Sequence, residues 1–452
     1  MKKLLLVLFM FVISAAFFGS CVIFRRPPSG DSYFVHAEGS DRNDGLSEET
    51  PFRSLFKAMA MAVSTPIKTI TVMGTLNAES EQSTNRERVF LVQGMSSEPV
   101  LIRGKSSADD PALLSGAGSG RRVILVRGTV PIRFENIEIS GGISSMEGGG
   151  ISLGPGSTVT LGPGAVVRDN QSNTIGGGIM ISSGGTLIVD GGNILENRSA
   201  SVGGGIGAMG QNSSLIILDG IISRNHAVGG GGVAMYQRSN SVFSRGSIHD
   251  NTAEMTGGGI MLNHEAVFIL EGGQINNNRA GNSGGGIVLL DRSDFSLRSG
   301  NISGNQAGEH GGGIASDESG IISIQGGYIG SNQAAIRGGG VFSSGVFVKS
   351  GGTIYGSDVP EDTANSAAEG SAVFIYRNDG FFRIREISAG SDMVLDTAAD
   401  DGWTISSPAA SIDQSADQSA DQSDIYYPDS ITDEWDLESA ETEGQEELYS
   451  EP

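Results

Sequence analysis

The chain has 452 residues and a net charge of −23. Eighteen acidic residues and no Lys or Arg follow Ser391, which leaves only −5 for the rest. A nearly neutral body with an acidic end offers no basic surface for nucleic-acid phosphates, and that class of function is set aside. The single cysteine, Cys21, excludes an internal disulfide and a cysteine-based zinc site.

Met1-Lys2-Lys3 opens a short basic start, and Leu4 to Phe18 is an apolar run. That run is too short for a comfortable span of about 20 residues and has the form of a signal-peptide core. Gly19-Ser20-Cys21 follows, small residues directly before the only Cys. This resembles a bacterial lipoprotein signal, with Phe18 where Leu is usual. The resemblance implies a chain cleaved after residue 20, lipidated at Cys21, and held at a membrane through that lipid, with 21–30 as linker.

Residues 31–66 read as a cap. Tyr33-Phe34-Val35-His36 is a strand-like stretch, and Thr50-Pro51 predicts a helix start with Thr as N-cap and Pro at the first position. Phe52, Leu55, Phe56, Met59 and Val63 would share one face of that helix. Asp41, Asn43 and Asp44 before Gly45 read as an Asx turn, not an EF-hand-type Ca²⁺ loop. The stretch resembles the N-terminal cap of many bacterial parallel β-helix proteins. Residues 67–145 read as degenerate coils, with Val123–Val126 and Phe134–Ile139 as apolar segments.

Over 146–388 a triplet recurs. Its third glycines are Gly150, Gly178, Gly205, Gly232, Gly259, Gly286, Gly313 and Gly340, each followed by Ile or Val. The first step is 28 residues and all later ones are 27, with a worn ninth copy at Gly370-Ser371-Ala372-Val373. An aliphatic residue three before an Asn keeps the same beat, ending on Asn170, Asn197, Asn225, Asn251, Asn278, Asn305 and Asn332. Stretches such as Leu187-Ile188-Val189-Asp190 and Val267-Phe268-Ile269-Leu270 lie between.

Three short apolar segments per repeat, separated by Gly, Asn and Ser, read as three strands of one coil. Coils stacked at about 4.8 Å pair each strand with its copies above and below. A single coil cannot offset its own ordering entropy, so stability must come from stacking. The fold expected is an all-β, single-stranded parallel β-helix. Its Asn column is expected to be structural: aligned amides can bond along the stack as a ladder.

The pairing of GGG[I/V] with [I/V]xxN resembles the repeats of chlamydial polymorphic membrane proteins. The resemblance covers residues 148–373 and implies a right-handed, surface-exposed, adhesive β-helix. Those proteins end in an outer-membrane β-barrel, for which the lipid on Cys21 would have to substitute. Residues 389–452, with the tandem Asp413-Gln414-Ser415-Ala416 unit, read as a disordered acidic tail, with Tyr426, Tyr427, Trp435 and Tyr449 as its docking residues if it binds a partner.

Catalysis in this architecture needs clustered acids on one outer face. The position seven before each Asn reads Asp190, Leu218, Ser244, Glu271, Arg298, Gln325, a mixed row in which Glu271 and Arg298 would form a surface ion pair. His36, His226, His249, His264 and His310 occupy five different places in the pattern; His226 and His249 could approach on neighbouring coils as a surface pair rather than a metal site. Arg383 and Arg385 flank Ile384 as strand alternation allows. The triplets lead into strands and do not form phosphate loops. No catalytic residue, metal or cofactor is therefore assigned.

The residue after each motif aliphatic should point outward. That column includes Met180, Met261, Val288, Phe342 and Phe374, where polar residues are usual. It is either an exposed binding face or a surface packed on the protein's own loops, tail or a second copy. The function expected is an envelope-anchored, adhesin-like surface protein that binds a host or cell-surface protein or glycan. A polysaccharide lyase or glycosidase, and a passive scaffold or surface antigen, are the alternatives.

Overall fold

The computed structural model describes residues 32–105, 111–356, 360 and 362–376, and the backbone of 383–384 and 393–395. The signal segment, Cys21, the linker, Arg385 and residues 396–452 lie outside the described residues. Within them the chain is a right-handed parallel β-helix. Its strands fall into sheets of 22, 12 and 8 strands.

One coil runs as follows. Ile151–Leu153 lies in the 12-stranded sheet, Thr158–Leu161 and then Val166–Arg168 in the 22-stranded sheet, and Gln171–Ser172 in the 8-stranded sheet. One coil later the partners are Ile179, Leu187, Ile194 and Arg198, opposite Ile151, Val159, Val167 and Gln171. Each coil thus carries four short strands, not three. The extra one follows the motif Asn, which turns the chain between the third and fourth strands. Its own backbone is not left-handed. The residue before it is: Asp169, Glu196, Arg224, Asp250 and Asn277 all have φ between 53° and 57°.

The glycine triplet makes the next corner for three separate reasons, seen at Gly257-Gly258-Gly259. Gly257 has φ +66°, a conformation strained for other residues. A Cβ on Gly258 would sit 2.4 Å from the Gly285 carbonyl oxygen, and one on Gly259 would meet the Gly286 oxygen at 2.7 Å. Backbone of the next coil passes where side chains would be.

Inside, identical positions stack into columns. Ile151, Ile179, Ile206, Val233, Ile260, Ile287 and Ile314 are fully buried. Phe268 and Phe295 stack with ring centroids 6.3 Å apart, and Phe243 meets Phe268 edge-on at 6.5 Å. A buried residue of this size contributes about 1.5–3 kcal/mol. The stack therefore gains with every coil added.

The cap helix, α1, spans Leu55–Ser64. It begins four residues later than the Thr50-Pro51 signal indicated, because stronger acceptors lie further on. Ser54 is the N-cap, its Oγ accepting from Lys57 N at 3.1 Å. Asp41 accepts from the backbone N of Arg53 and Ser54 at 3.0 and 2.9 Å, and Glu81 accepts from Leu55 N and Phe56 N. Phe52 stays outside the helix, bridged to Val35 and buried. Leu55, Ala58, Met59 and Ala62 form the buried face, while Phe56 is 51% exposed instead of facing the stack. Asp44 accepts from Leu46 N at 3.1 Å, an Asx-type turn.

Candidate functional surface

The Asn column is a continuous hydrogen-bonded ladder. Asn170, Asn197, Asn225, Asn251, Asn278, Asn305 and Asn332 are at most 1% exposed. Each Nδ2 donates to the Oδ1 of the next Asn at 2.9–3.1 Å. Its other hydrogen goes to a carbonyl one coil back, as from Asn251 to Ile222 O at 2.9 Å. From Asn197 on, each Oδ1 also accepts the backbone N of the preceding Asn, as Asn278 does from Asn251 at 3.0 Å, and Asn170 Oδ1 accepts from Gly142 N at 2.9 Å. Asn365 extends the ladder by one rung after a 33-residue step, which the regular beat had hidden. Every polar atom of these amides is occupied, so the column holds the stack and presents nothing to a ligand.

The stripe is not an exposed face. Met180, Met261, Val288, Phe342 and Phe374 are 2%, 1%, 1%, 4% and 0% exposed. All but Met180 belong to a second apolar core outside the coil, with Val202, Ala234 and Leu290. The alternation argument holds in that they leave the inner core, and of its two readings, exposure or packing under the protein's own loops, the second is the one seen. At the first glycine of each triplet the chain arches outward, and the residue before it lies over the next coil's strand. His310 stacks on Phe342 at 4.7 Å and Arg337 covers Phe374 at 5.0 Å, while Thr256 Oγ1 lies 3.8 Å from Met261 Sδ of its own coil. The protein's own loops cover the stripe.

The apolar outer positions are on the 22-stranded sheet. Ile188, Ile216, Val242 and Ile269 occupy one register on four successive coils. All are partly exposed, and the residues flanking each of them within its strand point into the core. Val267 and Ile321 lie one column over, and Ile221 is 39% exposed on the adjoining strand. Between Val267 and Ile321 sits Asp294, whose carboxyl is raised above its usual range by burial. The sequence carried the signal: Leu187-Ile188-Val189 and Val267-Phe268-Ile269-Leu270 are unbroken apolar runs, and in a strand that makes both faces apolar.

Acids on the outer faces are mostly tied to bases. Arg298 Nη1 meets Glu271 Oε1 at 2.8 Å, a part-exposed surface pair. Arg133 bridges Glu135 at 2.7 Å and Asp190 at 2.9 Å. Two carboxylates here share one guanidinium. His226 and His249 are not paired with each other. His226 Nε2 lies 3.6 Å from Glu254, and His249 Nδ1 lies 2.8 Å from Asp250. Burial and Arg198 hold the His226 imidazole below its usual range. Among the described residues no group of three or more His, Cys, Asp or Glu is placed to hold a metal ion. Past Ile143, which is exposed, the outer side of the 8-stranded sheet carries polar residues, with Gln171, Arg198, Arg279, Gln306 and Gln333 exposed.

No helix among the described residues is long and apolar enough to cross a membrane. No curated protein matches the chain. A family model described as a right handed beta helix region matches residues 122–300, which hold the last degenerate coil, five regular ones and part of the sixth.

Proposed function

We propose that this protein is an envelope-anchored, adhesin-like surface protein that binds a host or cell-surface protein or glycan along its solenoid and performs no catalysis. The fold is compatible both with adhesins and with polysaccharide-degrading enzymes. The observation that favours adhesion is the partly exposed aliphatic ladder Ile188, Ile216, Val242 and Ile269 on the outer face of the 22-stranded sheet. Solvent-facing strand positions are normally polar, and an extended apolar face on a rigid stack suits a macromolecular partner better than a small substrate. The lipid on Cys21 would hold the cap end near the membrane and project the repeats away from it.

The test has two parts. Intact cells are treated with protease while a periplasmic protein monitors leakage; the repeats should be cut and the monitor spared. Cells carrying Ile216→Asp with Ile269→Asp should then lose attachment to host matrix or glycan surfaces while the purified variant keeps its melting temperature. Repeats that survive until the outer membrane is opened would overturn surface display. Product release from a polyuronate panel would move a polysaccharide-cleaving enzyme ahead.

A further inference from the structure

An open groove of about 470 Å³ lies between the cap helix and the first strands of the 12-stranded sheet. Its walls are Phe56, Met59 and Val63 of α1 on one side and Leu91 and Met95 on the other. Phe56 is 51% and Met95 84% exposed, so large apolar side chains stand open at the rim. Gly94 and Gly128 keep the groove flat. A Cβ on Gly94 would strike Val63 at 2.7 Å, and one on Gly128 would strike the Gly94 oxygen at 2.2 Å.

One guanidinium, that of Arg127, lines the groove, and two more, those of Arg88 and Arg122, begin the strands that floor it, six residues before Gly94 and Gly128. Arg122 is only 6% exposed, and its buried Nε has no hydrogen-bond partner among the described residues. None of the three makes a described ion pair within 4 Å, unlike Arg133, Arg168, Arg224, Arg238, Arg298 and Arg337. Burial and their mutual repulsion lower Arg88 and Arg122, partly opposed by Glu87 and, for Arg122, by Glu147. A buried, incompletely bonded arginine costs stability until an acceptor arrives.

We propose that this groove seats residues 424–436 of this same chain. That segment reads Asp-Ile-Tyr-Tyr-Pro-Asp-Ser-Ile-Thr-Asp-Glu-Trp-Asp: three aromatic side chains for the apolar walls and five carboxylates for the arginines. Reach permits it. The 12-stranded sheet runs from Arg88–Gly94 to Met393–Leu395, eleven steps or about 53 Å at about 4.8 Å each. The 29 residues from Leu395 to Asp424 span up to about 95 Å when extended. The inference does not depend on the adhesive reading.

Both tryptophans of the chain, Trp403 and Trp435, lie outside the described residues, so a Trp403→Phe variant of the full chain reports on Trp435 alone. Its emission should be shifted to the blue, and acrylamide quenching should be at least about two-fold weaker than after Arg88→Glu with Arg127→Glu, since a tethered segment sees a high effective concentration. Salt at 0.5 M, or excess free peptide of sequence 424–436, should restore quenching without any substitution. Should the charge-reversed protein fail to melt cooperatively, Met95→Asp at the exposed rim should expose Trp435 in its place. A Trp435 that is equally quenched in all these proteins and unmoved by the peptide overturns the proposal. So does a free Trp435 combined with arginine-dependent sedimentation on phosphatidylglycerol vesicles, which would give the groove to a membrane.

Discussion

Replacing Asn251 by Leu tests the ladder as a load-carrying column. Four hydrogen bonds end at this side chain. Nδ2 donates to Ile222 O and Asn278 Oδ1, both at 2.9 Å, and Oδ1 accepts from Asn225 N and Asn225 Nδ2, both at 3.0 Å. Leucine leaves Asn225 N and one Asn225 Nδ2 hydrogen without a partner and strips a bond from Ile222 O, all in a place water does not reach. At about 1–3 kcal/mol per orphaned buried group the local loss is on the order of 3–6 kcal/mol. Asn278 Oδ1 keeps the Asn251 backbone N, so the damage should stay within neighbouring coils. A stack stabilised by nearest-neighbour contacts need not unfold as one unit. Amide exchange is therefore the better assay. Protection of Asn225 and Ile222 should fall by two or more orders of magnitude, with coils near Asn332 little changed and the thermal midpoint lowered. Unchanged protection at Asn225 together with an unchanged melting temperature would refute the reasoning.

Other perturbations follow from the same geometry. Met261→Asp, in the covered outer core, should destabilise the fold by about 3–5 kcal/mol in urea, because it buries an unpaired charge. Gly258→Ala should cost several kcal/mol by calorimetry, on the order of 3, since its Cβ would overlap the next coil's backbone. Glu271→Ala and Arg298→Ala should each change stability by less than about 1 kcal/mol, as befits a part-exposed pair. Glu81 should give a pH signature. Burial, with Asp41 nearby, raises its carboxyl to about 7 against the two helix N–H groups it accepts. The folded chain then holds a proton that the unfolded chain, near 4.3, has released. That contribution is complete below about 4.3 and is lost as pH rises through about 7, on the order of 1–2 kcal/mol. Glu81→Gln should flatten the corresponding slope in thermal midpoints between pH 5 and 8.

The stack was legible because its causes are periodic. A triplet every 27 residues and an Asn on the same beat imply a corner and a buried amide column, and both are present. The fourth strand was not legible, since two-residue pieces such as Arg279–Ala280 carry no pattern of their own. The stripe's cover was hidden for a different reason. His310, Arg337 and Thr256 cover the stripe with unrelated side chains, because arching over a strand needs the glycine that follows and not any particular residue. At the cap, Thr50-Pro51 is a sound local start signal that lost to Asp41, Ser54 and Glu81, and Glu81 lies 26 residues from the N–H it binds. The outer aliphatic ladder was present in the sequence as unbroken apolar runs, which make both faces of a strand apolar.

The ladder also works as a ruler. Steps between its rungs are 27, 28, 26, 27, 27, 27 and 33 residues, yet the amides meet within 2.9–3.1 Å at each. Surplus residues are pushed into the turns. The 28-residue step coincides with a register shift between Val189 and Gly192. Chain length and molecular length are thereby uncoupled. A whole repeat can be gained or lost at the cost of one rung, moving everything beyond it by about 4.8 Å along the axis with every face unchanged. The distance at which such a molecule presents its outer face is set in discrete increments, and a lineage can alter that distance without redesigning the surface it carries.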